Sequence, residues 1–388
     1  MVLSSSYYTR AAGNALIRAD QEIYRSDSVD CVQFSISDDN GATWTPTEKI
    51  QTTRPEGTGT RQIAYRSGVA DPTTDRFIQI YNSAYWPNDD PQDGLKRWLP
   101  NYRVSEDGGK SWIIDEPIIQ SGAEYDAGHP MAGVWEGRNC CMQGDLASVP
   151  LCLPSGEILV PVQISPVGAD GYYHKPTHGR TFTDTAVLFG KWNASGKMDW
   201  DLSPRISGDA KKSTRGLIEP TLGALSDNRL LMVMRGSNDG RPDLPGRRWF
   251  SISPDSGRTW PAAQPWSYDD GDSFFSPSSC SQLLQHSSGK LFWLGNINQE
   301  NPDGNQPRYP FVIGEVDQVT GLLQRKTISA VDDRQDNEHE RLTLSNFTAH
   351  EDRESHDIRL HLTRAFAKSQ GDKLNWTADA SVYHISID

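Results

Sequence analysis

The sequence predicts an all-β protein in which repeated sheets stack around a central axis as a β-propeller. Three observations support this prediction: short runs with strand character are separated by turns rich in Gly, Asp, Asn and Pro, no segment sustains the 3.6-residue period of a helix, and one turn motif recurs along the chain. No linker rich in Pro or Ser divides the sequence, so residues 1–388 are expected to form a single domain.

The strand prediction rests on apolar runs that are bounded by turn residues. No comparable run shows helical periodicity, so long helices are not expected. The predicted strands span 76–86, 157–164, 185–192, 230–236, 290–297, 310–316 and 358–364.

One turn motif, Ser-x-Asp-x-Gly-x-Ser/Thr-Trp, occurs three times, as SDDNGATW (37–44), SEDGGKSW (105–112) and SPDSGRTW (253–260). A degraded copy, KWNASGKMDW (191–200), lies in the longer of the two gaps between them. This spacing gives a period of about 60–75 residues, which divides the chain into five or six β units. One unit cannot bury both faces of its sheet, so the units must stack, and radial stacking gives a propeller.

Each side chain of the motif has a structural role. The Asp carboxylate can accept hydrogen bonds from backbone N–H groups of its own loop, and the Ser or Thr hydroxyl caps the turn. Gly supplies a positive φ, and Trp packs against the sheet. We therefore expect the motif to hold a hairpin together without contacting a substrate.

Charge and composition exclude several classes of partner. The net charge is −13, with 51 acidic against 38 basic residues, so the field of the protein repels the phosphate backbone of a nucleic acid. No run of 18 apolar residues occurs, so no membrane span is expected. An anionic ligand would need a local basic pocket set against the overall charge.

The sequence indicates a reducing environment and no cofactor. Its five Cys are odd in number and include the adjacent pair Cys140-Cys141, which argues against a disulfide framework. No signal peptide is visible, so a cytoplasmic protein is expected, or a secreted one if a leader has been removed. No His-x-x-x-His pair, Cys-x-x-Cys pair, EF-hand loop or Gly-rich phosphate loop occurs, so neither a metal nor a nucleotide is expected. The sequence gives no prediction of oligomeric state.

The three turn copies resemble the Asp-box, or bacterial neuraminidase repeat, of the sialidase superfamily, whose fold is a six-bladed β-propeller. RGLIEPTLGALSDNRLLMVMRGS (215–237) resembles the family segment in which a Glu precedes a strand that ends in Arg. This resemblance implies that Glu219 is the family's Glu and Arg235 its second carboxylate-binding arginine. GNINQENPDGNQPRYPFVIGEVD (295–317) resembles the segment that bears the third arginine, here Arg308.

Other parts of the sequence depart from the family pattern. The Arg-Ile-Pro motif of the family's first arginine is absent from the opening residues SSYYTRAAGNALIRADQEIYRS. Ser345, Asn346 and Phe347 occupy the neighbourhood where the resemblance implies a nucleophilic Tyr. The loop where it implies an acid/base Asp, IQTTRPEGTGT, offers Glu56 instead.

The principal candidate residues suit the binding of a sugar acid. Arg235 and Arg308, with Arg61 or Arg66, are predicted to hold the carboxylate of a sialic or uronic acid, because converging guanidiniums form bidentate hydrogen bonds to such a group. The alternative is that these arginines pair with Glu219 and other acids and only close the propeller centre. Glu219 itself is a candidate general base, an activator of a nucleophile or a group that orients an arginine.

The remaining candidates lie in loops and share side chains that can transfer a proton or contact a sugar. They are Asp145 and Tyr309 as catalytic groups, and Glu136, Arg138, His129 and His174 as substrate contacts. For the stretch 125–151, which contains most of them, the alternative is an ordered loop with internal salt bridges.

Three functions suit this set of residues. The primary prediction is an exo-acting glycoside hydrolase that releases an anionic terminal sugar from an oligosaccharide, using two of the carboxylates at positions 219, 145, 136 and 56. The second is a polysaccharide lyase that cleaves a uronic acid linkage by β-elimination, with the arginines neutralising the carboxylate and a His or Tyr acting as base and acid. The third is a non-catalytic carbohydrate-binding propeller.

Overall fold

The protein folds as a six-bladed β-propeller, which confirms the predicted all-β architecture. The structure is a computed structural model that describes residues 1–94, 96–176, 179–371 and 373–387. Each blade is an antiparallel sheet whose strands follow one another along the chain. Within these ranges the helical segments are single turns, α1 (Pro91–Gly94) and a 3-10 turn (Arg325–Thr327).

The first three blades are built from the N-terminal half of the chain. Blade 1 consists of β1 (Val2–Tyr8), β2 (Leu16–Glu22), β3 (Cys31–Ser37) and β4 (Thr45–Gln51). Blade 2 consists of β5 (Thr53–Glu56), β6 (Gly59–Ala70), β7 (Phe77–Trp86), β8 (Leu99–Ser105) and β9 (Ile114–Pro117). Blade 3 consists of β10 (Cys141–Gln143), β11 (Leu151–Cys152), β12 (Ile158–Ile164), β13 (Asp184–Trp192) and β14 (Met198–Leu202).

The other three blades follow in order around the ring. Blade 4 consists of β15 (Ile218–Ala224), β16 (Leu230–Arg235), β17 (Arg248–Ser253) and β18 (Gln264–Pro265). Blade 5 consists of β19 (Gln282–Gln285), β20 (Leu291–Asn296), β21 (Phe311–Val316) and β22 (Ser329–Asp332). Blade 6 consists of β23 (Thr343–Glu351), β24 (Ile358–Ala365) and β25 (Ala378–Ile385).

The seven predicted strands are confirmed as β7, β12, β13, β16, β20, β21 and β24, each to within one residue at either end. Every residue of β12, β16 and β20 is buried. These strands lie inside their blades, where neighbouring blades cover both faces of the sheet. This double burial explains why they appear in the sequence as continuous apolar runs.

The turn motif holds the hairpin between the last two strands of blades 1, 2 and 4. In blade 2, Asp107 accepts hydrogen bonds from the backbone N–H of Ser111 at 2.8 Å and from its hydroxyl at 2.6 Å. Ser105 Oγ accepts the N–H of Gly109, whose φ is 87°. The copies at 37–44 and 253–260 form the same bonds, so the predicted role of the motif as a structural staple is confirmed.

Blades 1 and 6 close the ring side by side, and two histidines lie at this seam. Ser6 Oγ lies 2.8 Å from His361 Nε2, and the His350 ring meets Tyr8 edge-on with centroids 5.5 Å apart. Both ring nitrogens of His350 are buried without a hydrogen-bond partner among the described residues. Burial lowers the pKa of His350 to about 3 and that of His361 to about 4, so both rings are neutral near pH 7.

Two further findings concern cysteine and membrane association. The five cysteines are free thiols, four of them buried and Cys152 partly so. Within the described ranges no helix is both long and apolar enough to cross a bilayer.

Candidate functional site

A cavity of about 260 Å³ opens at the centre of the ring, and all six blades contribute to its lining. Its residues come largely from the starts of inner strands and the ends of the strands beside them, so it lies on one face of the propeller. The Asp-box turns follow the ends of β3, β8 and β17 and therefore lie on the opposite face, because neighbouring strands are antiparallel. The acidic and basic side chains at the cavity are Asp27, Arg66, Asp145, Arg180, Arg215, Glu219, Arg235 and Arg308.

Glu219 enters the cavity from a distorted point near the start of β15. The strand register shifts between Ile218 and Thr221, and Glu219 has a φ of 45°, in the left-handed region. Its N–H donates to Gln163 Oε1 at 2.8 Å. Gly144 packs so closely that a Cβ at that position would lie 2.9 Å from the Glu219 Cα. These contacts hold a strained backbone conformation, which is a common feature of functional positions.

Arg235 and Arg308 line the same cavity, from blades 4 and 5 respectively. Arg235, the last residue of β16, donates to Glu219 Oε1 at 2.7 Å, to Ser278 Oγ at 2.8 Å and to Asn305 Oδ1 at 3.2 Å. Arg308 lies between β20 and β21 and donates to Ser278 O at 3.0 Å. Its buried Nε has no partner among the described residues, so Arg308 retains hydrogen-bonding capacity for a ligand.

Two more arginines of the cavity, Arg66 and Arg215, form no ion pair with a described carboxylate. Arg215 precedes β15 and donates from Nη2 to the Thr181 hydroxyl at 2.9 Å. Arg66 lies in β6, and the Nε of both arginines is buried without a described partner. Burial, together with the charge of Arg235, lowers the pKa of Arg215 and of Arg308 to about 10, which leaves both protonated near neutral pH.

The Glu219 carboxylate is set to remain ionised. Burial raises its pKa, but the positive charges of Arg235, Arg308 and Arg215 and the hydrogen bond from Arg235 outweigh burial, so the pKa lies below its ordinary value. Only one of its oxygens is paired with Arg235. The other, Oε2, is buried without a described partner and is available to a ligand.

Asp145 is another carboxyl of the cavity, and its pKa is shifted in the opposite direction to that of Glu219. It follows β10, and its Oδ1 accepts the N–H of Leu146 at 2.7 Å while its Oδ2 accepts a hydrogen bond from the side-chain amide of Asn346. Burial, reinforced by the negative charge of Glu219, raises the pKa of Asp145. Asp145 therefore retains its proton to a higher pH than an ordinary Asp. Two carboxyls whose pKa values are pushed apart are a recurring acid and base arrangement in enzymes.

Glu56 and Arg61 lie outside the central cavity. They face each other across the β5–β6 hairpin, with Arg61 Nη2 2.8 Å from Glu56 Oε1, and both are partly exposed. Arg61 and Glu136 instead line a second cavity of about 250 Å³. A later residue of β6, Arg66, lines the central cavity instead.

Four other predicted site residues also lie away from the central cavity: Arg138, His129, His174 and Tyr309. The His129 ring stacks on Trp135 with centroids 4.8 Å apart, and His174 is exposed. The Tyr309 ring lies beneath Arg334, whose guanidinium carbon is 5.6 Å from the ring centroid. Among the described residues that line the cavity there is no Tyr and no His, so the carboxyls are its candidate proton-transfer groups.

Sequence reasoning missed several residues of this cavity, among them Arg215, Asn346 and Trp376. Arg215 is the first residue of the segment that predicted Glu219, and its spacing of four residues was the available signal. Asn346 was noted only as an occupant of the family's Tyr neighbourhood. Trp376, whose ring meets Phe366 edge-on with centroids 5.2 Å apart, lies far along the chain and gave no signal. The described residues include no group of three or more His, Cys, Asp or Glu arranged to hold a metal ion.

Comparison with known proteins identifies relatives of this propeller. A family model described as BNR repeat-like domain matches residues 25–354. The intramolecular trans-sialidase from Ruminococcus gnavus, solved with oseltamivir carboxylate, superposes with a TM-score of 0.65 at 10% identity over 100% of this chain and 94% of that one. Trypanosoma rangeli sialidase superposes with a TM-score of 0.61 at 12% identity, over 98% of this chain and 54% of that one.

A third similar structure, a protein of unknown function from Dyadobacter fermentans, has a TM-score of 0.60 at 13% identity and covers 99% of this chain and 94% of its own. No curated protein matches the sequence. At these identities the structural likeness establishes the fold, and the chemistry must be argued from the cavity itself.

Proposed function

The chain belongs to the BNR repeat-like domain family, and on that premise we propose that it is a sialidase-like, exo-acting glycoside hydrolase that releases a terminal sugar acid from a glycan. One observation carries the proposal: Glu219, whose pKa is lowered, and Asp145, whose pKa is raised, lie in one cavity together with a cluster of arginines. This arrangement supplies an acid, a base or nucleophile, and a binding site for an anionic sugar.

The arginines position the substrate through its carboxylate. Arg235 and Arg308 lie on neighbouring blades and both contact Ser278, so their guanidiniums converge on one region of the cavity. Arg235 is held by Glu219, whereas Arg308 has a free donor. Arg66 adds a third positive group from blade 2. Charge-assisted hydrogen bonds from such donors orient a planar carboxylate strongly.

The carboxyl pair then performs the proton transfers. As the glycosidic bond breaks, the proton of Asp145 passes to the leaving oxygen, and the oxocarbenium-like anomeric carbon is captured. In one route Glu219 takes a proton from the water that attacks this carbon. In the other, Glu219 attacks the carbon itself, and water then hydrolyses the ester while Asp145 takes the proton of that water. Both routes release the free sugar acid, with inversion of the anomeric configuration in the first and retention in the second.

Asn346 explains why the proposal assigns no role to a tyrosine. It lies in the segment where the resemblance implies the nucleophilic Tyr, and its side chain hydrogen-bonds Asp145. A neutral amide does not attack an anomeric carbon, so capture falls to Glu219 or to the water that it activates.

A panel of sialosides and uronic-acid oligosaccharides tests the proposal when product mass and near-ultraviolet absorbance are recorded together. We expect release of a saturated monosaccharide acid by the wild-type protein, and loss of release by at least about 100-fold in Glu219→Gln and Asp145→Asn. An unsaturated uronate that absorbs in the ultraviolet would instead establish the lyase. Retention of an anionic sugar without turnover would establish a binding propeller.

A further inference from the structure

The charges at the cavity exceed what one sugar carboxylate would balance. Asp27 and Arg180 lie 4.0 Å apart and offset each other. The four arginines at positions 66, 215, 235 and 308 face two carboxyls, so at least two positive charges remain in excess even when both carboxyls are ionised. A single carboxylate on the substrate would neutralise only one of them. Buried charges without partners are strongly unfavourable, so this excess points to a further anionic group on the ligand.

Arg215 is the arginine placed to receive that group. Arg215 immediately precedes blade 4, in the connection before β15, whereas Arg308 lies between β20 and β21 of blade 5. The two arginines therefore reach the cavity from different blades.

Arg215 is also anchored from a different element than Arg308. The Thr181 hydroxyl, in the loop between β12 and β13, holds one end of the guanidinium at 2.9 Å. Thr181 itself is buried, so the contact is sheltered from bulk solvent. The buried Nε of Arg215 is left without a described partner.

We infer that Arg215, held by Thr181, forms a second anion subsite, and that the substrate is a terminal sugar acid with a further oxyanion on the same or the adjacent sugar. This inference rests on the proposed function and specifies its substrate class. The shared chemistry is an oxygen anion that accepts paired hydrogen bonds from a guanidinium, which a sulfate ester and a second carboxylate both provide.

Titration calorimetry with matched ligands tests the subsite. The probes are a uronic-acid disaccharide and a sialylated trisaccharide, each with and without one sulfate ester, and a disaccharide of two uronic acids as the dicarboxylate. We expect the wild-type protein to bind one of the doubly charged ligands at least roughly 30-fold more tightly than its singly charged match. Preference for the sulfated or for the dicarboxylate ligand identifies the source of the second anion.

Three variants separate the subsite from the carboxylate clamp, the name used here for Arg235 and Arg308. Arg215→Gln should abolish the preference and leave affinity for singly charged ligands within about threefold, whereas Arg308→Gln should weaken binding of both ligand types. Arg241→Gln, which removes an exposed arginine paired with Asp243, is the matched control. If Arg215→Gln does not fold, Thr181→Val tests the same subsite by freeing the guanidinium.

The outcomes are distinguishable from failure of the proposed function. Two results overturn the second subsite even if hydrolysis is observed. The first is equal affinity of the wild-type protein for the singly and doubly charged members of each ligand pair, and the second is a preference for the doubly charged ligand that survives in Arg215→Gln. Absence of turnover with the preference intact overturns the hydrolase and leaves the subsite standing. Failure to bind any of the five ligands overturns the subsite.

Discussion

Replacing Arg308 with Gln tests the carboxylate clamp. We expect this arginine to add little to the stability of the fold, so a loss of activity in the variant would reflect lost contact with the substrate. Burial and the positive charge of Arg235 lower the pKa of Arg308 from 12.5 to about 10, a penalty on its charged form of about 3 kcal/mol. Its one side-chain hydrogen bond to a described residue, to Ser278 O at 3.0 Å, offsets roughly 1.5–3 kcal/mol of that penalty. The two effects nearly cancel, so the free energy of unfolding of Arg308→Gln should change by less than about 2 kcal/mol.

The same substitution should be costly for catalysis. Removing one partner of a desolvated charge pair costs about 2–4 kcal/mol of transition-state stabilisation, which lowers kcat/KM by roughly 30- to 1000-fold. Sugar-acid release gives kcat/KM, and urea unfolding followed by Trp fluorescence gives stability. Near-wild-type kcat/KM in Arg308→Gln would refute the clamp. A loss of stability above about 3 kcal/mol would show instead that Arg308 is structural.

Three other perturbations test separate parts of the account. Asp145→Asn should raise the free energy of unfolding at pH 7, because the raised pKa of Asp145 makes its ionised form unfavourable in the folded state. The activity of the wild-type protein should fall on the alkaline side, as pH rises through the raised pKa of Asp145, and on the acid side, below the lowered pKa of Glu219. His350→Phe should make the protein more resistant to unfolding by acid, as followed by circular dichroism. The pKa of His350 is about 3 in the folded state and about 6.5 in the unfolded state. The stability that neutral His350 provides is therefore present above pH 6.5 and falls by several kcal/mol as pH falls towards 3. Asp107→Ala should lower stability by about 1 kcal/mol in thermal unfolding and leave kcat/KM unchanged, because its turn lies on the face opposite the cavity.

Strands were predictable from the sequence where burial is complete. The interior strands β12, β16 and β20 each begin with a run of apolar residues and are bounded by turn residues, so their positions follow from composition. The outermost strand β4 gave no such signal, because all but one of its residues are exposed. The position of β4 depends on its pairing with β3, and this pairing cannot be recognised from the residues of β4 alone.

The site was predictable where one chain segment holds several of its groups. Glu219 and Arg235 lie on neighbouring strands joined by a short turn, so their proximity follows from the hairpin. Asp145 and Asn346 are about 200 residues apart in sequence and meet only because the ring closes. For Glu56 and Arg61, closeness in sequence was misleading. Both are close in sequence to Arg66, which lines the cavity, but they form an ion pair with each other at the β5–β6 hairpin.

The most direct measurement of the central claim is hydrolysis in water labelled with heavy oxygen, followed by mass analysis of both products. If Asp145 protonates the leaving oxygen and Glu219 directs water to the anomeric carbon, the released sugar acid carries one heavy oxygen and the remaining glycan carries none. The label should be lost together with activity in Glu219→Gln and retained in Arg241→Gln. Product without heavy oxygen, or labelled product from Glu219→Gln at the wild-type rate, would contradict the account.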